Sequence, residues 1–143
     1  MENIQSLKHS VWDCKYHMVW IPKYRRKVLY GTLRKHLGEV FHELALQREC
    51  KIHEGHLVGD HVHMMISIPP KYSVAQVAGY IKGKSAIHIA RTYGGYKQNF
   101  VGQNFWARGY YVSTTGRDEE IIRQYIRKQE KRDQELDHQM NLF

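Results

Sequence analysis

The sequence predicts an α+β domain, a four-stranded antiparallel sheet in βαββαβ order with two helices on one face and a third helix after it. Three observations carry this. Apolar residues alternate with period two over 11–21 and 61–68, they recur at helical spacing between Leu33 and Leu44 and between Val74 and Ile89, and Gly59-Asp60 separates two strand-like segments. The length of 143 residues, with 42% apolar and 25% charged, suits one globular domain over 1–143 with a single core.

The first strand is predicted over 11–21, where Trp12, Cys14, Tyr16, Met18 and Trp20 share a face and Asp13, Lys15 and His17 lie opposite. Pro22 ends it. Thr32 is the predicted cap of a helix that places Leu33, Leu37, Val40, Phe41 and Leu44 on one side and runs to about Cys50. Segments 51–58 and 61–68 form a hairpin across Gly59-Asp60, closed by Pro69-Pro70. Ser73 caps a second helix with Val74, Val77, Ala78, Ile81 and Ile89 on its apolar side, stopped by Gly94-Gly95. A fourth strand is predicted over 104–114. Asp118 caps a last helix, whose Glu119 and Glu120 favour the positive end of its dipole. A loose polar tail is expected over about 133–143.

The net charge of +8 is unusual for so small a chain and points to a polyanionic partner, since neutralising phosphates releases counterions. Solubility alone is the competing explanation. The basic residues are clustered, however. Lys23, Arg25, Arg26 and Lys27 surround Tyr24, Lys82 and Lys84 form a second group, and Arg123, Arg127, Lys128, Lys131 and Arg132 a third. Aromatic side chains among such charges can stack on unpaired bases. Two cysteines, Cys14 and Cys50, without metal-binding spacing read as reduced thiols of a cytoplasmic protein. No apolar run reaches the ~20 residues needed to span a bilayer, and the N-terminal residues lack the layout of a secretion signal.

Candidate chemistry sits in two places. On the strand His61-Val-His-Met-Met-Ile-Ser-Ile68, residues Val62, Met64, Ile66 and Ile68 face the core, so His61 and His63 project together from the other side. Their Cα atoms stand ~6.7 Å apart, twice the strand rise, and two imidazoles at that spacing can share one divalent ion. With ten histidines in the chain, such a pair also arises by chance. Asp60 is the candidate carboxylate to hold an imidazole from behind. On the last helix Ile121, Tyr125 and Gln129 form one stripe. Tyr125 is either a core aromatic or a nucleophile with Gln129 one turn away as a third metal ligand. Tyr72 and Gln76 have the same spacing, but Tyr72 precedes the Ser73 cap and so falls outside its helix. A metal-activated phosphodiester and a tyrosine hydroxyl make a cut-and-rejoin site, because one phosphoester replaces another and no external energy source is needed.

The stretches Trp20-Ile-Pro-Lys-Tyr-Arg-Arg26, Asp60-His-Val-His63, Gly79-Tyr-Ile-Lys-Gly-Lys-Ser85, Phe105-Trp-Ala-Arg-Gly-Tyr-Tyr-Val112 and Tyr125-Ile-Arg-Lys-Gln129 occur in that order. Together they resemble the single-tyrosine transposases of the HUH superfamily, in the insertion-sequence 200/605 group. The resemblance spans about residues 8–132. It implies that His61, His63 and Gln129 are ligands of Mg²⁺ or Mn²⁺ and that Tyr125 is the nucleophile. It also implies a covalent 5′-phosphotyrosine, recognition of hairpins in single-stranded DNA near the element ends, and a homodimer in which the tyrosine helix can complete the partner's site in trans. Within that expectation Lys23, Tyr24, Arg25, Arg26, Lys82, Lys84 and Arg108 are candidate DNA contacts, with Trp106 contacting or stacking on the substrate. Three other readings are a noncatalytic nucleic-acid-binding module resembling RNA-recognition domains, a phosphoesterase that activates water, and a relaxase or replication initiator of the same superfamily. The first uses aromatics where this chain has His61 and His63, the second does not need Tyr125, and the third is generally a longer protein.

Overall fold

The computed structural model describes residues 5–7, 10–23, 31–58, 60–93, 105–114, 120–121, 124–129 and 131–132. Its elements are β1 (Gln5–Leu7), β2 (Ser10–Trp12), β3 (Lys15–Trp20), α1 (Gly31–Gln47), β4 (Lys51–Val58), β5 (His61–Ser67), α2 (Val74–Tyr93) and β6 (Tyr111–Ser113), followed by helical residues at 120–121, 124–129 and 131–132. β3, β4, β5 and β6 form one antiparallel sheet in the order β4-β5-β3-β6. This is the split βαβ arrangement, with β5 and β3 in the middle.

The single strand expected over 11–21 is two. Residues 10–12 turn back on Gln5–Leu7 as a separate two-stranded ribbon, and the sheet strand starts only at Lys15. Alternation continues across the break, so periodicity alone could not reveal it. The one-sided burial expected there also fails at its C-terminal end, where Met18, Val19, Trp20 and Ile21 are all fully buried. Both faces of the sheet are covered at that point.

The two helices close one face. Met18 and Trp20 of β3 and Val62, Met64 and Ile66 of β5 meet Leu37, Phe41 and Leu44 of α1 and Val77, Ala78, Ile81 and Ile89 of α2. Trp20 sits between Phe41 and Trp106, with ring centroids 5.7 and 6.0 Å away and both contacts edge-on; each such pair adds about 1 kcal/mol beyond its buried area. On the opposite face Val19, Ile21, Ala107 and Ile126 form a second, smaller core, with Tyr111 and Tyr125 packed against it. The last helical residues therefore lie on the face that α1 and α2 leave open.

The ends of the helices have identifiable causes. Ser73 Oγ accepts from Gln76 N at 3.0 Å while Gln76 Oε1 accepts from the Ser73 amide at 2.8 Å, a reciprocal capping box that starts α2. α1 begins at Gly31, one residue ahead of the expected Thr32 cap, and it stops at Gln47, short of Cys50. There Cys50 N bonds to Ala45 O at 2.9 Å and Glu49 N to Leu46 O at 3.0 Å, with Glu49 at φ 56°. This is the Schellman pattern, built on glutamate where glycine is usual. The fourth strand is shorter than expected. Among the described residues only Tyr111–Ser113 pairs along β3, and Trp106 contributes an isolated bridge to Pro22. Gly94-Gly95, the Asp118 cap and the 133–143 tail lie outside the described residues.

Candidate functional site

Cross-strand register builds the site's floor. His63 stands opposite Val19 on β3 and opposite His56 on β4, Met65 stands opposite His17, and Val19 is flanked on its other side by Tyr111 of β6. Since paired positions share a face, His17, His56, His61 and His63 all belong to the side away from α1 and α2. His61 and His63 thus lie as expected on the outer side of a central strand. His17 and His56 join them only through register, which the sequence does not print; their rings stand 5.5 and 6.2 Å from that of His63.

The two expected ligands differ in surroundings. His61 Nδ1 lies 2.8 Å from Asp60 Oδ1. A carboxylate only accepts, so Nδ1 carries the hydrogen and the neutral ring keeps its lone pair on Nε2. His63 is buried, with Nε2 at 3.4 Å from His17 Nδ1. One of that pair must donate, a long contact that a third group entering between them could replace.

The roof is the segment 124–129. Ile126 points into the second core beside Val19, Ile21 and Ala107, and Tyr125 packs on the same cluster with its ring 6.2 Å from Tyr111. Gln129 is buried, and its Nε2 donates to the Arg108 carbonyl at 2.9 Å and to the Tyr125 hydroxyl oxygen at 3.3 Å. A carbonyl acceptor fixes which end of the amide faces it, so Oε1 is the end turned away from Arg108. Tyr125 and Gln129 thus share one hydrogen-bonded unit over the histidine face, and the helix rests on its own chain's sheet. Gln76 is committed to the α2 cap, which removes the Tyr72–Gln76 pair from contention.

The expected DNA contacts fare differently. Trp106 is corrected. It is buried in the main core, in contact with Trp20, Phe41 and Phe105, and its Nε1 donates to Ser85 Oγ at 3.0 Å, so no ring face is left for a base. Phe105-Trp-Ala, expected within the fourth strand, instead bridges the two cores, with Phe105 and Trp106 in the main one and Ala107 in the second. Lys82 is only half-exposed. Its Nζ donates to Ala107 O at 2.9 Å and Gly109 O at 2.6 Å, and burial pushes its pKa down to about 8. Lys84 and Arg108 are exposed, and Lys23 is partly buried with its amide on Phe105 O at 2.8 Å. Tyr24, Arg25 and Arg26 lie outside the described residues. Among the described residues no three His, Cys, Asp or Glu side chains are grouped to hold a metal; the donor set in question is two imidazoles and an amide oxygen. No helix among them is long and apolar enough to cross a membrane.

Solved structures share this split βαβ fold. A putative transposase from Deinococcus radiodurans superposes with a TM-score of 0.78 at 24% identity, over 87% of this chain and 97% of its own. A REP-associated tyrosine transposase bound to a REP hairpin shares the fold more loosely, with a TM-score of 0.53 at 13% identity over 85% and 67% of the two chains. Sequence makes the relationship specific. The family model described as "Transposase IS200 like" matches residues 10–129. Transposases for insertion sequence element IS200 from Salmonella typhimurium and Salmonella typhi are each 41% identical over 133 residues, 93% of this chain and 88% of theirs. The ISDra2 transposase TnpA of Deinococcus radiodurans is 28% identical over 120 residues, 83% of this chain and 86% of its own. The chain belongs to the IS200-like transposase family, enzymes that move an insertion sequence by cutting and joining DNA.

Proposed function

We propose that this transposase cleaves single-stranded DNA beside a hairpin by direct transesterification on Tyr125. The observation that carries the reading is the Gln129–Tyr125 pair, held at 3.3 Å over the sheet face that bears His61 and His63. In the step, a bond forms between the Tyr125 oxygen and the phosphorus, and the bond from phosphorus to the departing 3′ oxygen breaks. The phenolic proton leaves Tyr125 and the released 3′ oxygen gains one. The product is a 5′-phosphotyrosine that a second 3′-hydroxyl can attack in reverse, so joining needs no external energy source. The Gln129 amide donates to the hydroxyl oxygen, an interaction that strengthens as negative charge develops there.

His61, His63 and Gln129 fit a divalent ion, Mg²⁺ or Mn²⁺. Asp60 leaves the His61 lone pair on Nε2, and Arg108 leaves the Gln129 oxygen facing away from its carbonyl. Such an ion supplies Lewis-acid polarisation of a phosphate oxygen. The exposed basic residues Lys84 and Arg108 and the net charge of +8 suit a nucleic-acid partner, and the REP hairpin bound by a transposase of the same fold supports a hairpin substrate. A homodimer that exchanges tyrosine helices belongs to the same proposal. Exchange would require Ile126 to leave the cluster with Val19 and Ile21 and to find an equivalent one on the partner subunit.

The test is a denaturing gel of the protein incubated with labelled single-stranded hairpin DNA and Mg²⁺ or Mn²⁺. Wild type gives a covalent adduct, and Tyr125→Phe gives neither adduct nor cut strand. Normal cleavage by Tyr125→Phe overturns the proposal in favour of activated water.

A further inference from the structure

The turn at residues 107–109 is gripped from two layers of the molecule. Lys82, on α2, donates to the carbonyls of Ala107 and Gly109. Gln129, on the opposite side of the sheet, donates to the carbonyl between them, that of Arg108. Three consecutive carbonyls thus alternate in direction, and the left-handed φ of +81° at Gly109 permits it. The amide side of the loop is fixed separately, through Ala107 N on Ile21 O at 2.9 Å. β6 is the edge strand at this side of the sheet, so Lys82 joins the helix layer to the tyrosine layer there.

We propose that Lys82 is a positioning residue for the cleavage reaction: it clamps the 107–109 turn so that the Arg108 carbonyl orients the Gln129 amide and, through it, the Tyr125 hydroxyl. This rests on the reading that Tyr125 and Gln129 serve cleavage. A glutamine amide rotates almost freely about its last torsion, so a fixed carbonyl is what decides whether oxygen or nitrogen faces the reacting phosphate. The carbonyl in turn sits in a loop, and a loop peptide plane stays put only where its neighbours are tied. An ammonium bonded to the carbonyls on either side ties both with one group. A half-buried lysine is a costly way to fill that space, since an apolar chain of equal length would avoid the desolvation. Its two charge-assisted bonds are what an apolar chain lacks.

The experiment compares Lys82→Met, which keeps the stem and removes the donors, with Lys82→Arg, which restores two donors. In metal-free, ¹⁵N-labelled protein, the side-chain amide pair of Gln129, assigned through Gln129→Ala, is followed together with its exchange with water. Lys82→Met shifts that signal and speeds its exchange; Lys82→Arg returns it most of the way. With saturating hairpin DNA and Mn²⁺, the adduct-forming rate of Lys82→Met falls about 100-fold, the size of effect that a displaced reacting group produces, while hairpin affinity stays within about twofold. Should Lys82→Met not fold, Lys82→Gln, which keeps one donor, is read in the same way. An unmoved Gln129 signal overturns the proposal. So does a loss of affinity that accounts for the rate, with the salt slope reduced by about one, since that is the signature of a phosphate contact. Failure of the Tyr125 mechanism appears separately, as normal cleavage by Tyr125→Phe, and does not change how the Lys82 variants move the amide signal.

Discussion

Replacing Gly109 by alanine strikes the site through its backbone. At φ +81° an L side chain costs about 1–2 kcal/mol in the left-handed region. The new Cβ would also stand 3.4 Å from Gln129 Nε2, at the tight edge of ordinary contact, so the amide moves with any shift of the strained turn. That motion stretches the 2.9 Å bond to Arg108 O and the 3.3 Å bond to Tyr125, and losing one neutral hydrogen bond costs about 1 kcal/mol. The sum is roughly 2–3 kcal/mol, which for a domain of this size lowers the melting temperature by about 6–12 °C. Gly79 is the internal contrast. It lies inside α2 with nothing within 4 Å of where a Cβ would stand, so Gly79→Ala raises stability by about 0.5–1 kcal/mol. Thermal unfolding by circular dichroism gives both numbers, and single-turnover adduct formation on hairpin DNA should fall at least about tenfold for Gly109→Ala, the cost of a misplaced catalytic group. A Gly109→Ala protein that melts within about 1 °C of wild type and forms adduct at the wild-type rate would refute the argument that this turn sets the Gln129 amide.

Two further outcomes are expected. Asp60→Asn removes the carboxylate from His61 Nδ1 and should weaken Mn²⁺ binding about 10–100-fold, measured by calorimetry, while leaving DNA affinity in metal-free buffer unchanged; equal Mn²⁺ affinity would detach Asp60 from the metal. The second concerns α1 and α2, where His36 and His88 stack with their Nε2 atoms 2.7 Å apart. Burial, and then the neighbouring His36, hold the His88 pKa below its ordinary 6.5, against the opposing pull of Glu43. A depressed folded-state pKa means stability that is present above pH 6.5 and lost as pH falls below it. Melting temperature should therefore drop between about pH 7 and 5, and the drop should be shallower in His88→Gln; an unchanged slope in that variant would refute the assignment.

What could be read from the chain is what local pattern encodes. Period-two alternation over 61–68 was enough to place His61 and His63 together on the outer face, because side chains on a strand have no other choice. Ser73 announced the start of α2 and so placed Tyr72 outside that helix. What escaped was everything decided by a partner far away in sequence. The ribbon of β1 and β2 separates from β3 although alternation runs through the break. Trp106 and Lys82 read as surface groups beside basic clusters, yet one closes the core against Trp20 and the other holds backbone carbonyls.

The sequence alone determined the order of the four sheet strands and of α1 and α2, the basic charge, and the candidate histidine, tyrosine and glutamine side chains, since these are read from composition and from residues within a turn or a strand of one another. The tertiary structure decided which side chains meet. Register set His17 and His56 beside His63, the second core seated Tyr125 over their face, and the turn at Gly109 gave Gln129 its anchor. These are long-range pairings, fixed by the requirement that buried apolar faces find a cover and that nearly all buried polar groups find a partner.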